Sequence, residues 1–496
     1  MGHALGREPL LRALCVIDCL LLAPAKAGPY IRFVNPFRNI MRLSVGDFIA
    51  KTLTFAAFVW LARVLGVQTF GVLEFANSLL AWFLLLADGG LELWATRESA
   101  KTQNVPALVA RVVPLRFLLA TASFVLLFLL LPLMPPNENL RVVMALFGLS
   151  LFAQAASLKW LFLGREQMAR VGTMLVAGQM VFAIAVIALI RRPEQVLWVP
   201  LVKFAADTVM AIGFARIYRR EHGSLLLPYT FAGARIALAP AVTMGLTQAM
   251  GLLNFNFDSI LIGFLLGLKD VGLYNAAYKP VTMFLAGPLT YFTGLFPVLS
   301  RAWHEGPEKL RPVVERSLRM CALLAFPVGV AVSLLAMPIV ELVFGAAYRE
   351  SAAPLAVLIW SAVLVILRGS YRHALNAAGF QRLDLRGAIW SSAVNVGMNI
   401  ALIPRYGLMG AAIATVGGDV VWFVMSYRNF QRHVMKIPFL PNAWRALAAS
   451  LAMGLAIYFV PTEAWSLQAA AGAAVLVVAL LSLGEPFRTL RAGISA

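Results

Sequence analysis

Long apolar runs separated by short polar segments extend along this whole chain. Typical stretches are LLLADGGLELW (84–94) and FVLLFLLLPLM (124–134). A transmembrane helix needs about 20 apolar residues, whereas a strand of an outer-membrane barrel alternates apolar and polar positions over about ten residues. The pattern therefore predicts an all-α polytopic membrane protein with about 14 transmembrane helices, at residues 43–65, 71–95, 107–132, 141–163, 168–190, 195–216, 236–266, 272–298, 314–343, 352–375, 385–404, 408–430, 442–461 and 466–484.

Residues 1–42 depart from this pattern. The apolar run Leu10–Ala23 has only 14 residues, which is too short to cross a bilayer. With Arg7 and Arg12 before or at its start, it imitates a secretory signal peptide. The alternative is that translation begins at Met41, which would make residues 1–42 an N-terminal extension from a mis-assigned start.

The composition excludes two broad classes of protein. Of the 496 residues, 61% are hydrophobic and 13% charged, and the mean hydropathy is +0.81. Soluble globular proteins are about one quarter charged, and disordered chains have low hydrophobicity. Neither a soluble enzyme nor a disordered chain fits these values, so the expected surroundings are the lipid bilayer.

The net charge of +19 is explained by membrane topology rather than by binding to nucleic acid. Lys and Arg accumulate in the cytoplasmic loops of membrane proteins. With a cytoplasmic N-terminus, 32 of the 42 basic residues fall in the predicted cytoplasmic segments. The alternation persists through every loop pair, which supports an even number of crossings with both termini cytoplasmic and no nucleic-acid binding.

A weak internal repeat divides the chain. Residues 61–83 align with residues 261–284 at an offset of 201, matching Gly66 with Gly267 and Gly71 with Gly272. Each repeat unit contains six predicted helices, and an even number of crossings per unit produces parallel repeats. Transporters built this way bind their substrate between the two halves.

Basic residues within the predicted helices are candidate binding groups. A charge inside the membrane costs at least about 2.5 kcal/mol and usually faces a cavity. Lys51 and Arg116 lie toward the inner side, and Lys279 lies nearer the outer side. A wet cavity between the halves would let an anionic phosphate headgroup move between these three cations.

Acidic and polar side chains at similar depth are further candidates. The acids, which are also candidates for ion coupling, are Asp47, Asp207, Asp258 and Asp419, and the polar residues are Lys203, Asn254 and Asn256. Structural pairing is the alternative, because Asp47–Lys51 and Lys203–Asp207 have the i,i+4 spacing of helical ion pairs. Lys279 has no such partner in its own helix, and Asp258 is the candidate.

Motifs for enzymatic chemistry are absent from the sequence. There is no P-loop, and neither the three cysteines nor the five histidines have the spacing of a metal site or disulfide framework. We therefore predict no catalytic residue, no metal site and no cofactor.

Asp88 and Glu92, at the inner end of helix 2, are expected near the membrane interface.

Four segments carry a resemblance to a known family: residues 44–100, 257–279, 342–361 and 373–419. The second, FDSILIGFLLGLKDVGLYNAAYK, holds an acid, a short outer turn with glycine and a Tyr-x-x-Ala-x-Lys stretch. Together they resemble bacterial polysaccharide repeat-unit flippases of the multidrug/oligosaccharidyl-lipid/polysaccharide exporter superfamily. The resemblance covers about residues 43–435.

The resemblance implies two six-helix lobes and two added C-terminal helices. The expected divisions are the extension 1–42, the N-lobe 43–216, a cytoplasmic linker 217–235, the C-lobe 236–435, and residues 436–496 with the last helices and a cytoplasmic tail. It also implies a bacterial inner-membrane protein that moves an undecaprenyl-pyrophosphate-linked oligosaccharide outward by alternating access with ion coupling. Lys51, Arg116 and Lys279 would attract the pyrophosphate. A polysaccharide polymerase and a chain-length regulator are the implied partners.

Other readings stay open at this point. A drug or small-cation exporter of the same superfamily should have more cavity acids than bases, but the numbers here are balanced. A membrane glycan polymerase or ligase should carry a long outer loop, whereas the predicted outer loops have about 6–9 residues. A passive channel or scaffold would not need paired buried charges or an internal repeat.

Overall fold

A computed structural model describes residues 36–224, 234–460 and 464–482. These residues contain helices and connecting turns, with no β-strand. The α-helices are α1 (Pro36–Asp88), α2 (Leu91–Ser99), α3 (Val105–Leu130), α4 (Glu138–Phe147), α5 (Leu149–Ala156), α6 (Lys159–Gly164), α7 (Met168–Leu189), α8 (Trp198–His222), α9 (Ala234–Leu265), α10 (Leu268–Glu305), α11 (Pro307–Leu334), α12 (Ala336–Phe344), α13 (Ala352–Ala377), α14 (Gln381–His433), α15 (Phe439–Phe459) and α16 (Trp465–Ser482).

The predicted all-α membrane class is confirmed. Ten helical stretches of the described chain are long and apolar enough to cross a bilayer. Helices α1 and α14 each have 53 residues, and each joins two helices across a kink, at Gly66 (φ 71°) and Gly407 (φ 55°) respectively. The count of fourteen crossings stays a prediction. Most of residues 1–42 lies outside the described chain, so the expectations for the extension do too.

Three predicted helices are wrong as single elements. The helix expected at 71–95 breaks at Gly89 (φ 56°) and Gly90 (φ 80°), between α1 and α2. The helix expected at 141–163 consists of α4, α5 and α6, because the chain changes direction at Ser157, whose ψ of 126° is extended. The helix expected at 314–343 begins at Pro307 and breaks at Leu335 between α11 and α12. At 141–163 and 314–343 the hydropathy is continuous across the break, so a hydropathy pattern cannot reveal it there.

The internal repeat has a structural counterpart. Gly66 has φ 71° and ψ 168°, and Gly267, its match in the second copy, has φ 112° and ψ 174°. Each glycine precedes a helical segment that runs into the bundle. Positive φ with extended ψ is a conformation that glycine adopts without the steric strain of a Cβ. The repeated glycines therefore form the same sharp turn twice.

A second repeated pair brings the two copies into contact. A Cβ on Gly71 would lie 1.7 Å from the carbonyl oxygen of Leu268, and a Cβ on Gly272 would lie 2.3 Å from that of Val67. The contact is reciprocal, with each glycine against the backbone of the other copy. Small residues permit such close helix approach in membranes. We call this end of the bundle the glycine end.

Polar contacts reinforce the glycine end. Arg63 donates from Nε to the carbonyl oxygen of Val343 at 2.8 Å and also to that of Leu342. Tyr348 donates its hydroxyl to the carbonyl oxygen of Ala62 at 2.8 Å. These bonds satisfy carbonyls at helix ends and join α1 to the second half of the chain. The two halves are thus held together by backbone contact and by side-chain hydrogen bonds.

Replacing Gly272 by Ala should destabilise the protein. Helix propensity alone favours Ala by about 1 kcal/mol, but the new methyl group would collide with the backbone of α1, and overpacking costs about 1–3 kcal/mol. Gly287 is the matched control, because it lies in the same helix with no atom within 4 Å of an added Cβ. Thermal unfolding of the detergent-solubilised protein should show a lower Tm for G272A and an unchanged or higher Tm for G287A. Equal Tm values would show that the glycine contact does not hold the halves together.

Candidate functional site

The larger of the described cavities, the N-terminal cavity, has a volume of about 710 Å³. Asp88, 22 residues beyond Gly66, is roughly 33 Å from the glycine end along the helix axis. The cavity therefore lies toward the opposite end of the bundle. Its wall comes mainly from the first half of the chain, completed by α9. The polar and charged lining residues are Asp88, Glu92, Thr96, Arg116, Gln154, Lys159 and Gln248.

Arg116 organises the charges of this cavity. Its side chain is 4% exposed, and Nη2 lies 3.5 Å from Oδ1 of Asp88 and 4.0 Å from Oε2 of Glu92. Nη1 donates to the carbonyl oxygen of Ser157 at 2.8 Å, which satisfies the backbone at the break between α5 and α6. Lys159 pairs with Glu92 at 2.7 Å. The four charges balance, so the N-terminal cavity holds charged and polar groups within a mostly apolar wall and is electrically neutral.

Lys279 pairs with an acid that the sequence did not suggest. Its Nζ lies 2.9 Å from Oε2 of Glu74, and the exposed fractions of the two side chains are 18% and 2%. The ammonium also lies 3.8 Å from the ring centre of Phe58. The prediction that Lys279 pairs with Asp258 is therefore wrong. Glu74 is in α1 and Lys279 in α10, so the pair joins the two repeat copies three residues beyond Gly71.

Asp258 belongs to a separate polar cluster. The hydroxyls of Tyr274 and Thr415 both donate to its Oδ2 at 2.7 Å, and Asn399 donates from Nδ2 to its Oδ1 at 2.6 Å. Asp258 is 2% exposed. In the described residues no cationic side chain pairs with it. The buried Oδ1 of Asn399 also has no partner there.

The other predicted acids have cationic partners. Asp47 lies 2.7 Å from Lys51, and Asp207 lies 3.0 Å from Lys203. Both pairs have the predicted i,i+4 geometry, but Lys51 and Asp47 are more than a third exposed whereas Asp207 is buried. Asn256 is half-buried, and the Asn254 side chain lies outside the described residues.

Asp419 pairs with a buried arginine. Nη1 of Arg368 lies 3.1 Å from Oδ1 of Asp419. The distribution of basic residues predicts that Arg368 is at the cytoplasmic end of its helix. Its guanidinium carbon is 3.7 Å from the ring centre of Trp422. The hydroxyl of Ser361 also donates to Asp419. This pair lies within the second half of the chain, between α13 and α14.

A second cavity, the C-terminal cavity, has a volume of about 410 Å³. Arg372 and Asn376 line it from α13, and Arg382 and Asp384 line it from the start of α14. Gly251 of α9 lines both cavities. The two cavities therefore meet at α9, toward the end of the bundle opposite the glycine end.

Sequence reasoning overlooked six functional candidates: Glu74, Lys159, Arg368, Arg372, Arg382 and Trp422. Spacing on one helix cannot show pairs that form between helices. A signal for Glu74 was nonetheless present, because it is an acid within an apolar predicted helix, at the repeat position of Asn275. Arg368 and Arg372 are one helical turn apart, which is typical of a polar helix face. Asp88 and Glu92, expected near the interface, line the N-terminal cavity.

Comparison with known proteins identifies the family. A family model described as "Polysaccharide biosynthesis protein" matches residues 37–303, more than half of the chain. The chain belongs to this family. A second model, described as "Lipid II flippase MurJ", matches residues 232–480. The two models overlap and together cover most of the helices described above.

Individual relatives are distant. The chain is 26% identical over 244 residues to "Probable flippase AglR" of Haloferax volcanii, covering 47% of this chain and 51% of that protein. It is 21% identical over 340 residues to "Putative O-antigen transporter" of Escherichia coli, covering 67% of this chain and 81% of that protein. The chain thus spans about half the length of the first relative and four fifths of the second.

The fold has a close counterpart among solved structures. A structure described as "Lipid II flippase MurJ, inward closed conformation" aligns with a TM-score of 0.76 and 13% sequence identity. The alignment covers 91% of this chain and 99% of that chain. At this identity the likeness concerns the fold alone, and it supports the helical membrane architecture of this family member.

Breaking the Glu74–Lys279 pair should strongly destabilise this family member. Removing one partner of a buried pair costs about 3–5 kcal/mol, so E74Q and K279Q should each lower the Tm markedly. The charge-swapped variant E74K/K279E should recover part of that loss, because it restores an ion pair between the repeat copies. Thermal unfolding in nanodiscs is the measurement.

The exposed pair Lys269–Glu350 provides the matched control. Its side chains are 55% and 67% exposed, and surface pairs contribute about 0–1 kcal/mol. K269Q should therefore change the Tm little. If K279Q lowers the Tm as little as K269Q does, the buried Glu74–Lys279 pair does not stabilise the contact between the two halves.

Proposed function

We propose that this chain is a flippase that moves an undecaprenyl-pyrophosphate-linked oligosaccharide repeat unit from the inner to the outer leaflet by alternating access. The observation that carries the proposal is the polar N-terminal cavity inside a bundle of apolar helices, opposite an end that is closed by helix contact. A sugar headgroup needs such a cavity, because its polar groups are costly to bury without hydrogen bonds. The lipid tail can stay in the bilayer.

The relatives' names favour transport over enzymatic chemistry. One relative is named as a flippase and another as an O-antigen transporter, and the matching family model is named for polysaccharide biosynthesis. The names of the two relatives concern transport, and the name of the family model concerns polysaccharides. By this analogy the cargo is a lipid-linked glycan, and a polymerase and a chain-length regulator would act on the product.

Charge distribution supports an orientation in a bacterial inner membrane. Arg97, Arg165 and Arg170 lie near the end that carries the N-terminal cavity, and basic residues favour the cytoplasmic side. The glycine end would then face outward and both termini inward. The described conformation would be closed to the outside, with its cavities toward the cytoplasm.

Substrate binding would compete with the ion pairs of the three nominated cations. Lys51, Arg116 and Lys279 each already lie beside an acid. A phosphate at Lys279 would displace Glu74, and this acid belongs to the other repeat copy. Headgroup binding would thereby weaken the link between the halves and allow the glycine end to open, which is the exchange that alternating access requires.

Asp258 is the best candidate for ion coupling among the four predicted acids. Asp47, Asp207 and Asp419 each have a basic partner, whereas Asp258 contacts only hydroxyl and amide groups in the described structure. A carboxylate, a threonine hydroxyl and an amide oxygen are ligands suited to a hard cation. Its contacts come from α10 and α14, so loading a sodium ion or a proton would change how these helices pack.

The proposed function is tested by deleting the gene in its native host. Lipid-linked oligosaccharide should accumulate on the cytoplasmic leaflet while a surface polysaccharide is lost. Complementation with the intact gene is the control. Normal glycan lipids together with raised sensitivity to cationic drugs would move the assignment to a multidrug exporter, and unpolymerised units on the outer leaflet would favour a polymerase or ligase.

Replacing Asp258 by Asn should remove the ion dependence of transport. Everted vesicles from the deletion strain, carrying its accumulated lipid-linked oligosaccharide, would be assayed under an imposed sodium or proton gradient. The wild-type chain should respond to one gradient, and D258N should respond to neither, because the neutral amide takes up no proton and lacks the negative charge that would balance a bound cation. E350Q is the control, since Glu350 belongs to an exposed ion pair and is not a candidate for coupling. Gradient-driven transport by D258N at the wild-type rate would exclude Asp258 as the coupling group.

A further inference from the structure

The three nominated cations all have acidic neighbours, but two arginines of the C-terminal cavity have spare donors. Arg372 uses Nε for Asp384, with distances of 3.1 and 2.9 Å to the two carboxylate oxygens. Its two Nη atoms have no partner among the described residues. Arg382 lines the same cavity and pairs with no acid in the described part of the chain.

The single acid of this cavity is already saturated with fixed donors. Asp384 accepts from Arg372, from Nδ2 of Asn376 at 3.1 Å and from Nε1 of Trp422 at 3.1 Å. It is therefore a group that orients Arg372 rather than a binding group for a cation. With two arginines and one carboxylate among its lining residues, the C-terminal cavity is positive, whereas the N-terminal cavity is neutral.

Trp422 holds the guanidinium groups in place. Its ring centre lies 3.7 Å from the guanidinium carbon of Arg368 and 5.0 Å from that of Arg372. Cation–π contact restricts the rotamers of both arginines. A preorganised guanidinium fork matches the oxygens of a phosphate and loses little entropy on binding. Arg372 thus presents its free Nη groups with a defined orientation.

The beginning of α14 adds further positive potential. This helix has 53 residues and starts at Gln381, beside the cavity, and no side chain caps its first turn. Unpaired backbone N–H groups and the helix dipole attract anions at such an N-terminus. Two arginines and a helix N-terminus therefore converge on one cavity of about 410 Å³.

The location matches the depth of a lipid phosphate. The loop between α13 and α14 lies, by the charge distribution, at the cytoplasmic membrane surface, where the headgroups of inner-leaflet lipids are found. Gly251, which has no side chain, separates the C-terminal cavity from the larger neutral one. A ligand with its anionic part beside Arg372 could extend past Gly251 into the N-terminal cavity.

We propose that the C-terminal cavity is the subsite that captures the pyrophosphate of an isoprenoid-linked glycan, with Arg372 and Arg382 as its ligands, while the sugars occupy the N-terminal cavity. This inference rests on the proposed function. It assigns the first phosphate contact to residues other than Lys51, Arg116 and Lys279. Those three cations would meet the headgroup only later, when their own ion pairs open.

Binding of undecaprenyl pyrophosphate to the full chain tests the subsite. The chain would be placed in phosphatidylcholine nanodiscs and titrated with this lipid, with bound lipid counted by native mass spectrometry. We expect R372Q and R382Q each to weaken binding about tenfold, and inorganic pyrophosphate to compete with the lipid. Undecaprenyl monophosphate should bind more weakly than the pyrophosphate, because it carries fewer oxygens for the two arginines.

Matched variants separate loss of the site from loss of the fold. R386Q removes the same charge one turn further along α14, at an exposed residue that does not line the cavity, and should bind like the wild type. R382K should bind at an intermediate level. The thermal unfolding midpoint of each variant should match the wild type before its affinity is compared.

Several results would overturn the subsite. If R372Q and R382Q bind the lipid like the wild type while K279Q loses binding, the phosphate binds at Lys279 instead. Equal loss in R386Q, or equal competition by phosphatidylglycerol, would indicate a general anionic surface. Binding of inorganic pyrophosphate together with no detectable binding of undecaprenyl pyrophosphate would indicate a site for a soluble anion. These outcomes leave the flippase proposal intact, whereas a normal distribution of glycan lipids in the deletion strain would reject the flippase itself.

Discussion

A charge within a membrane is stable only beside a partner, and this constraint determines how the bundle is joined. Arg116 of α3 lies beside Asp88 of α1, Lys279 of α10 beside Glu74 of α1, and Arg368 of α13 beside Asp419 of α14. Each pair connects different helices, so each neutralises a charge and also fixes a helix contact. An anionic ligand that takes over one of these cations necessarily releases the acid, and with it a contact between helices.

The two ends of the bundle differ in how tightly they are closed. At the glycine end the repeat copies meet through backbone, since neither Gly71 nor Gly272 has room for a Cβ. At the other end, charged and polar side chains surround cavities on both sides of α9. A contact between backbones is short-ranged and is lost completely when the helices separate. Opening of the glycine end therefore requires free energy from another interaction, which the binding of a headgroup or a coupling ion would provide.

The two cavities suggest a division of chemistry. The neutral cavity has balanced acids and bases, which suit the hydroxyls and amides of sugars, and the positive one has guanidinium donors, which suit phosphate. A lipid-linked glycan carries both kinds of group on one molecule. Cavities that meet at a glycine could bind the two parts together, and the size of the neutral cavity would then limit the sugars that can be carried.

The sequence by itself determined the helical membrane class, the approximate positions of most helices, the repeat that matches Gly66 with Gly267, and the i,i+4 pairs Asp47–Lys51 and Lys203–Asp207. These features depend on hydropathy and on spacing within one helix, which are local properties of a chain. Only the tertiary structure decided that Lys279 pairs with Glu74 rather than Asp258, that Ser157 interrupts a predicted helix, and that Arg372 and Arg382 share a cavity. Contacts between distant helices depend on their packing and rotation, and a single sequence does not encode these in any local pattern.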